Sequence, residues 1–300
     1  MISVGIFNGY YPYTLAESIS RIKRDGFSCV QLDLSFKDMD LSFESLNKQK
    51  SNHIRDAFRD ANLPITCISG YTNILHPDPK KREENLFGLK TLLKYARDLG
   101  SPYVISETGT YNLESDWVWD EKNGTEEAYE EVCNTLEDLA KFAYDYGSVF
   151  LVENYVNNVI GSVDQVTRLF SDVNHPGLGL LMDPTNYFTD TNINHVDEEL
   201  NRIFNALGDK IKIAHAKDCK PAEDTSEKHA AIDAVESHTF RGAGAVELPA
   251  PGLGILNYDL YLQRLSKLHP NIPIIIEHLD EEDIPRAKRF LDEKLKKNGC

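Results

Sequence analysis

Four apolar runs in this 300-residue chain stop abruptly at a side chain that binds metals or moves protons. Val149-Phe150-Leu151-Val152 runs into Glu153, and Leu178-Gly179-Leu180-Leu181-Met182 runs into Asp183. Ile211-Lys212-Ile213-Ala214 runs into His215, and Ile272-Pro273-Ile274-Ile275-Ile276 runs into Glu277. Short apolar or β-branched runs bounded by loop residues read as buried strands. Parallel α/β sheets and barrels carry their chemistry at the carboxyl ends of such strands. A lone carboxylate past a strand is often just a helix N-cap, and a lone histidine there is more often a packing residue. Three carboxylates and an imidazole on separate strands instead point to convergence on one divalent cation.

Eight candidate strands can be drawn: Ser3–Phe7, Cys29–Leu34, Ile65–Ser69, Tyr103–Ser106, Val149–Val152, Gly179–Met182, Ile211–Ala214 and Pro273–Ile276. Helical patterns separate them. Glu84–Leu99 places Leu86, Leu89, Leu93 and Ala96 on one face, with Gly100 as the stop. Thr125 is placed to cap a helix carrying Val132, Leu136, Leu139 and Ala143 up to Gly147, and Leu15–Asp25 ends before Gly26. This alternation predicts an α/β fold, a closed (β/α)8 TIM barrel forming one domain over residues 1–300, with an open doubly wound sheet as the alternative. The longest irregular stretch, Lys220 to Leu256, follows His215 directly, so it is expected to cover the site. A second loop, Gly109–Gly124, carries Trp117 and Trp119, which either stack on a sugar's C–H face or pack the loop down.

Charge narrows the partners. A net charge of −16 argues against nucleic acid and anionic membranes, whose recognition relies on Lys and Arg. No apolar stretch approaches the ~20 residues of a membrane helix. Met1 leads almost directly into a strand rather than a secretory leader, and the five cysteines form no CxxC pair, so free thiols in the cytoplasm are expected. Cys219 lies four residues past His215, where a metal role would require a softer ion.

Leu151-Val-Glu-Asn, Leu181-Met-Asp-Pro-Thr-Asn, His215-Ala-Lys-Asp, Ile274-Ile-Ile-Glu and Pro251-Gly-Leu-Gly-Ile-Leu-Asn-Tyr give the chain a resemblance to a known group. It resembles the xylose-isomerase-like barrel superfamily of sugar and sugar-phosphate isomerases and epimerases, which includes D-tagatose 3-epimerase-type enzymes and inosose dehydratases. The resemblance implies that Glu153, Asp183, His215 and Glu277 bind one divalent metal. It also implies that Glu153 and Glu277 face opposite sides of the substrate carbon and exchange its proton. Many relatives carry His three residues after the sixth-strand Asp. Here Asn186 stands there, a poor metal ligand but a donor to a substrate hydroxyl. Apurinic-site endonucleases of the same superfamily need further histidines. This chain offers only Asn186 and Glu236-Ser-His238, and with its acidic charge that activity is disfavoured.

The residue types fit this chemistry in their own right. Removing a proton next to a carbonyl leaves an enediolate whose charge needs a Lewis acid. A carboxylate-rich site with one imidazole suits Mn²⁺, Mg²⁺ or Co²⁺, with Zn²⁺ also allowed. Lys217 shares strand parity with His215 and is a candidate for the pocket, while Asp218 either orients a ligand or caps the loop. Arg241 in the glycine-rich loop, and His76 and Glu107 after the third and fourth strands, complete the candidate substrate contacts. The expected function is a metal-dependent sugar isomerase or epimerase. A dehydratase using the same proton abstraction and a metal-containing sugar-binding protein without turnover are the alternatives, and the pair of glutamate bases argues against the last.

Overall fold

The computed structural model describes residues 1–222, 240–241 and 246–300. Eight parallel strands close into a barrel in the order β1-β11-β7-β6-β5-β4-β3-β2. In chain order these are β1 (Ser3–Phe7), β2 (Cys29–Leu32), β3 (Ile65–Ser69), β4 (Tyr103–Glu107), β5 (Val149–Glu153), β6 (Leu178–Met182), β7 (Ile211–Ala216) and β11 (Pro273–Ile276). The helices between them are α1 (Leu15–Arg24), α2 (Lys48–Asp60), α3 (Pro79–Leu99), α4 (Glu126–Asp145), α5 (Val163–Asp172), α6 (Val196–Leu207), α7 (Tyr258–Leu268) and α8 (Ile284–Asn298). The (β/α)8 expectation holds. Among the described residues, no helix is long and apolar enough to cross a membrane.

Strand alternation divides the apolar residues into two cores. Val30, Ile68, Val104, Phe150, Val152, Leu180, Met182, Ala214, Ile274 and Ile276 face the helices in one continuous layer. Cys29, Cys67, Ile105, Leu151, Leu181, Ile213 and Ile275 form a separate inner cluster, one residue from each of seven strands. This inner layer is the packed floor beneath the carboxyl-end mouth, and each buried Leu or Ile in it contributes about 2 kcal/mol.

Boundaries differ from expectation where side chains replace backbone partners. β2 stops at Leu32 because Asn8 takes over the next residue: its Oδ1 accepts from Asp33 N (2.5 Å) and its Nδ2 donates to Asp33 O (3.1 Å). α3 begins at Pro79, not Glu84, because Asp78 accepts from Lys80 N (2.9 Å) with proline in the first turn. Apolar periodicity misses that polar first turn. The stretch after β7 contains a three-stranded sheet, β8 (Lys220–Pro221), β10 (Val246–Leu248) and β9 (Phe240–Arg241), in that spatial order. Strands of two or three residues are too short to leave a periodic signal.

Asp218 secures the return from this sheet. Its Oδ1 accepts from Cys219 N and Leu256 N, and its Oδ2 from Gly252 N, each at 2.9 Å. The carboxylate therefore caps the Pro251-Gly-Leu-Gly turn, the loop-capping alternative of the two. Gly254 has no room for a side chain: a Cβ there would lie 2.4 Å from Asp218 Oδ1. Cys219 is fully buried in the outer core. Asp218→Ala is expected to lower unfolding stability by about 3 kcal/mol, because it strands three loop amides. The midpoint of a urea titration measures the loss, and a midpoint equal to wild type removes this role for Asp218.

Candidate functional site

The inner floor sets the site by simple counting. Two residues beyond Leu151, Leu181, Ile213 and Ile275 on the same strand face come Glu153, Asp183, His215 and Glu277, and all four are buried. Glu107 follows Ile105 and Lys217 follows His215 by the same step. Glu107 and Glu153 are direct partners in the β4–β5 register, and His215 pairs with Ile275 across β7–β11.

The four expected ligands come together around one point. His215 Nδ1 lies 3.4 Å from Glu277 Oε2, 3.5 Å from Glu153 Oε1 and 3.7 Å from Asp183 Oδ2. Glu153, Asp183 and His215 each offer a ligand atom within 4.8 Å of the others. Gln31 orients the ring: its Nε2 donates to Glu277 Oε1 (2.8 Å), which leaves its Oε1 to accept from His215 Nε2 (2.8 Å). With Nε2 so engaged, Nδ1 is buried without a hydrogen-bond partner and aimed at the three carboxylates. Asp183 is set similarly. Its Oδ1 accepts from Thr185 N (3.0 Å) and Thr185 Oγ1 (2.7 Å), leaving Oδ2 to face the cluster. An imidazole nitrogen turned toward carboxylate oxygens offers, once its proton is released, the donor set of a hard or borderline divalent cation, so these residues fit one.

Lys217 enters the same point. Its Nζ lies 2.7 Å from Asp183 Oδ2, 3.2 Å from Glu153 Oε1 and 3.3 Å from Glu277 Oε2. The backbone beneath is fixed by α7: Tyr261 OH donates to His215 O (2.8 Å) and Tyr258 OH to Lys217 O (2.6 Å). Burial opposes every charge here, and the opposite charges outweigh it for Lys217, His215, Glu153 and Asp183. Lys217 is held well above the usual ammonium range by Asp183, Glu153 and Glu277. Glu277 and Glu153 push His215 up to about 10. Against its own burial, Glu153 is held down at about 2 by Lys217 and His215. Burial dominates for Glu277, whose carboxyl is raised, and for Glu107, which is raised well above its ordinary range by burial and then by Glu153.

Above this cluster opens a cavity of about 300 Å³, lined on one side by Glu107, Glu153, Asn186, Lys217 and Glu277. Phe7, Tyr10, Tyr71, Trp117 and Tyr155 supply aromatic walls. Trp117 packs edge-on against Tyr155 at 5.9 Å, whereas Trp119 is 39% exposed and outside the lining. Leu248 of β10 closes one edge, so the segment after β7 does contribute a wall. Asn186 joins the carboxylate cluster: its Nδ2 donates to Glu153 Oε1 at 2.8 Å.

One expected contact falls elsewhere. His76 is not brought to the cavity; its Nδ1 accepts from Asp78 N (3.1 Å) at the start of α3. Arg241 contributes backbone to β9, but its side chain lies outside the described residues, as do Glu236 and His238. Sequence reading missed Gln31, Tyr71 and His278. Gln31 is a polar residue inside an apolar strand at the parity of Cys29, a signal that was available. Tyr71 donates to Glu153 Oε2 (2.5 Å) from beyond β3. His278 has φ 60° and reaches Leu248 O (3.1 Å) through Nδ1, and no local pattern announces it.

A family model described as xylose isomerase-like TIM barrel matches residues 19–294. No curated protein matches the chain. Among solved structures, it is similar to the probable 3-DHS dehydratase AsbF from Bacillus anthracis, 14% identical over 99% of both chains with a TM-score of 0.72. It is also similar to a D-tagatose 3-epimerase-like protein, 18% identical over 99% of this chain and 98% of the other, TM-score 0.69. A xylose isomerase-like TIM barrel protein from Mycobacterium smegmatis in complex with magnesium is 16% identical over 98% and 95%, TM-score 0.69. At these identities the likeness establishes the fold.

Gln31→Leu is expected to cost about 2–4 kcal/mol in the metal-free protein, because it strands a buried carboxylate oxygen and an imidazole N–H. Denaturation in chelator measures the loss, and ¹⁵N NMR of His215 should lose its single Nε2–H environment. An unchanged spectrum would remove Gln31 from the network.

Proposed function

Because the chain belongs to the xylose isomerase-like TIM barrel family, we propose that it is a divalent-metal-dependent isomerase or epimerase of a sugar or close sugar derivative. The observation that carries the reading is a pair of glutamates, Glu153 from β5 and Glu277 just past β11, reaching one cavity around a single imidazole. Sugar binding by itself requires no paired bases.

Glu153, Asp183, His215 and Glu277 would hold the ion, which when bound supplies a Lewis acid for the negative charge developing on a substrate oxygen. The oxygen-rich donor set favours Mn²⁺, Mg²⁺ or Co²⁺ over Zn²⁺. In the epimerase form of the reaction, one glutamate takes the proton from the carbon beside the carbonyl and the other returns a proton to the opposite face. Asn186 and Tyr71, both donating to Glu153, keep that carboxylate in place and aimed. Glu107, held toward its protonated form, is suited to donate to a substrate oxygen. Trp117, Tyr155 and Phe7 offer apolar faces for sugar C–H groups and exclude water. A water-eliminating lyase is the second reading, supported by the likeness to the Bacillus anthracis dehydratase along the whole chain. The reaction would take place on a small molecule in the cytoplasm.

Two experiments test this. Purified protein should take up about one divalent metal per chain with a rise in Tm, since a ligand bound only by the folded state stabilises it. Asp183→Ala or His215→Ala should lose both effects, and full metal occupancy in either variant by elemental analysis would mean that the ligands are misassigned. Turnover of ketoses, keto-acids and inososes in D₂O should place deuterium on the inverted carbon. Glu153→Gln or Glu277→Gln should slow this by about 10²-fold or more at matched metal occupancy. Inversion without solvent deuterium rules out the two-base exchange, and release of water selects the lyase.

A further inference from the structure

We propose that the Lys217 ammonium is a tethered substitute for the divalent cation: ammonium and metal are alternative occupants of one carboxylate nest, and metal entry turns Lys217 out toward the substrate. The inference rests on reading Glu153, Asp183, His215 and Glu277 as a cation site. The three oxygens that Nζ touches at 2.7–3.3 Å, Asp183 Oδ2, Glu153 Oε1 and Glu277 Oε2, are the same three that face His215 Nδ1. Asp183 Oδ2 lies 2.7 Å from the ammonium, which also donates to Glu153 Oε1 at 3.2 Å, so Nζ occupies the point on which the carboxylates converge.

Both occupants cannot be present together. An ion bonded to these oxygens at roughly 2.0–2.3 Å would sit against the ammonium with like charge in a buried site. The lysine has somewhere to go, because its side chain also lines the cavity. Its own carbonyl is held by Tyr258, so the exchange needs only rotation about the four-carbon stem. Two consequences follow. Without metal, the carboxylates are neutralised by the chain itself rather than left to repel. With metal, a primary ammonium appears in the cavity, where it can donate to a hydroxyl or carbonyl oxygen of the substrate. The loaded site thus gains a substrate contact that the empty site lacks.

Calorimetric Mn²⁺ titration of the full chain tests this against Lys217→Met, which keeps the apolar stem and removes the charge. If the ammonium fills the nest most of the time, removing it should tighten Mn²⁺ binding by about tenfold or more, because apparent affinity scales with the competent fraction. In chelator the variant should melt below wild type, and Mn²⁺ should raise its Tm by more than it raises that of wild type. In unmutated protein, reductive methylation read by mass spectrometry should spare Lys217 in chelator and modify it when Mn²⁺ is bound, with exposed Lys212 modified in both. Lys217→Gln serves in place of the Met variant if the latter does not fold. Equal Mn²⁺ affinity in variant and wild type, with equal melting in chelator, overturns the proposal. If only the variant takes up Mn²⁺, the exchange stands and metal dependence of the wild-type enzyme falls. If neither binds it, the cation site and the exchange both fall.

Discussion

The carboxylates of Glu153, Asp183 and Glu277 all lie within 3.7 Å of one imidazole nitrogen, at the bottom of a cavity that excludes most water. Buried like charges at such separations repel by several kcal/mol unless something positive sits among them. Much of the surrounding architecture answers that repulsion. His215 and Lys217 supply the positive charge, Gln31, Thr185 and Tyr71 each donate to the carboxylate oxygen that the cations do not touch, and Asn186 adds a donor to Glu153 Oε1, which they do. These donors come from β2, from turns after β3 and β6, and from the residue three past Asp183. The cluster therefore depends on the barrel being closed, which lets Gln31 of β2 reach Glu277 and His215 across the interior although β2 pairs with neither β11 nor β7.

How much of this could be read from the sequence depended on the range of the signal. The barrel was legible because each strand is a short apolar run and each helix has a marked end, both local features. The four convergent side chains were legible for the same reason, since each ends such a run. Lys217 was found by parity alone, although parity says only which way it faces and not that it reaches the carboxylates. Gln31 lies in mid-strand, so it carries none of the strand-end signal that marks the other four. Tyr71 and His278 depend on how loops fold back, which no periodicity records. His76 misled because it follows a strand, yet its ring is used by the turn that opens α3. The short β8–β10 sheet was read as irregular because its pairing, Val246 with Pro221 and Glu247 with Arg241, is set by distant segments.

Within the site, position and polarity separate the parts that hold charge from the aromatic walls of the cavity. Charge is held at strand ends, whose backbone is fixed by the ladder. The aromatic walls come mainly from loops and strand exits, such as Trp117 before α4 and Tyr155 after β5. Loops on a rigid scaffold can vary while the strand ends beneath them stay fixed.

The tyrosines of α7 carry a consequence of a different kind. Tyr261 and Tyr258 bond the carbonyls of His215 and Lys217 from the helix side, and Asp218 ties the following turn back to its own residue. The end of β7 is therefore anchored from behind, by α7 and by the turn that Asp218 caps. The positions of the imidazole and the ammonium are thus set as much by the helix behind the strand as by the strand itself, and a change in how α7 seats on the barrel would be felt in the site without any residue of the cavity being altered.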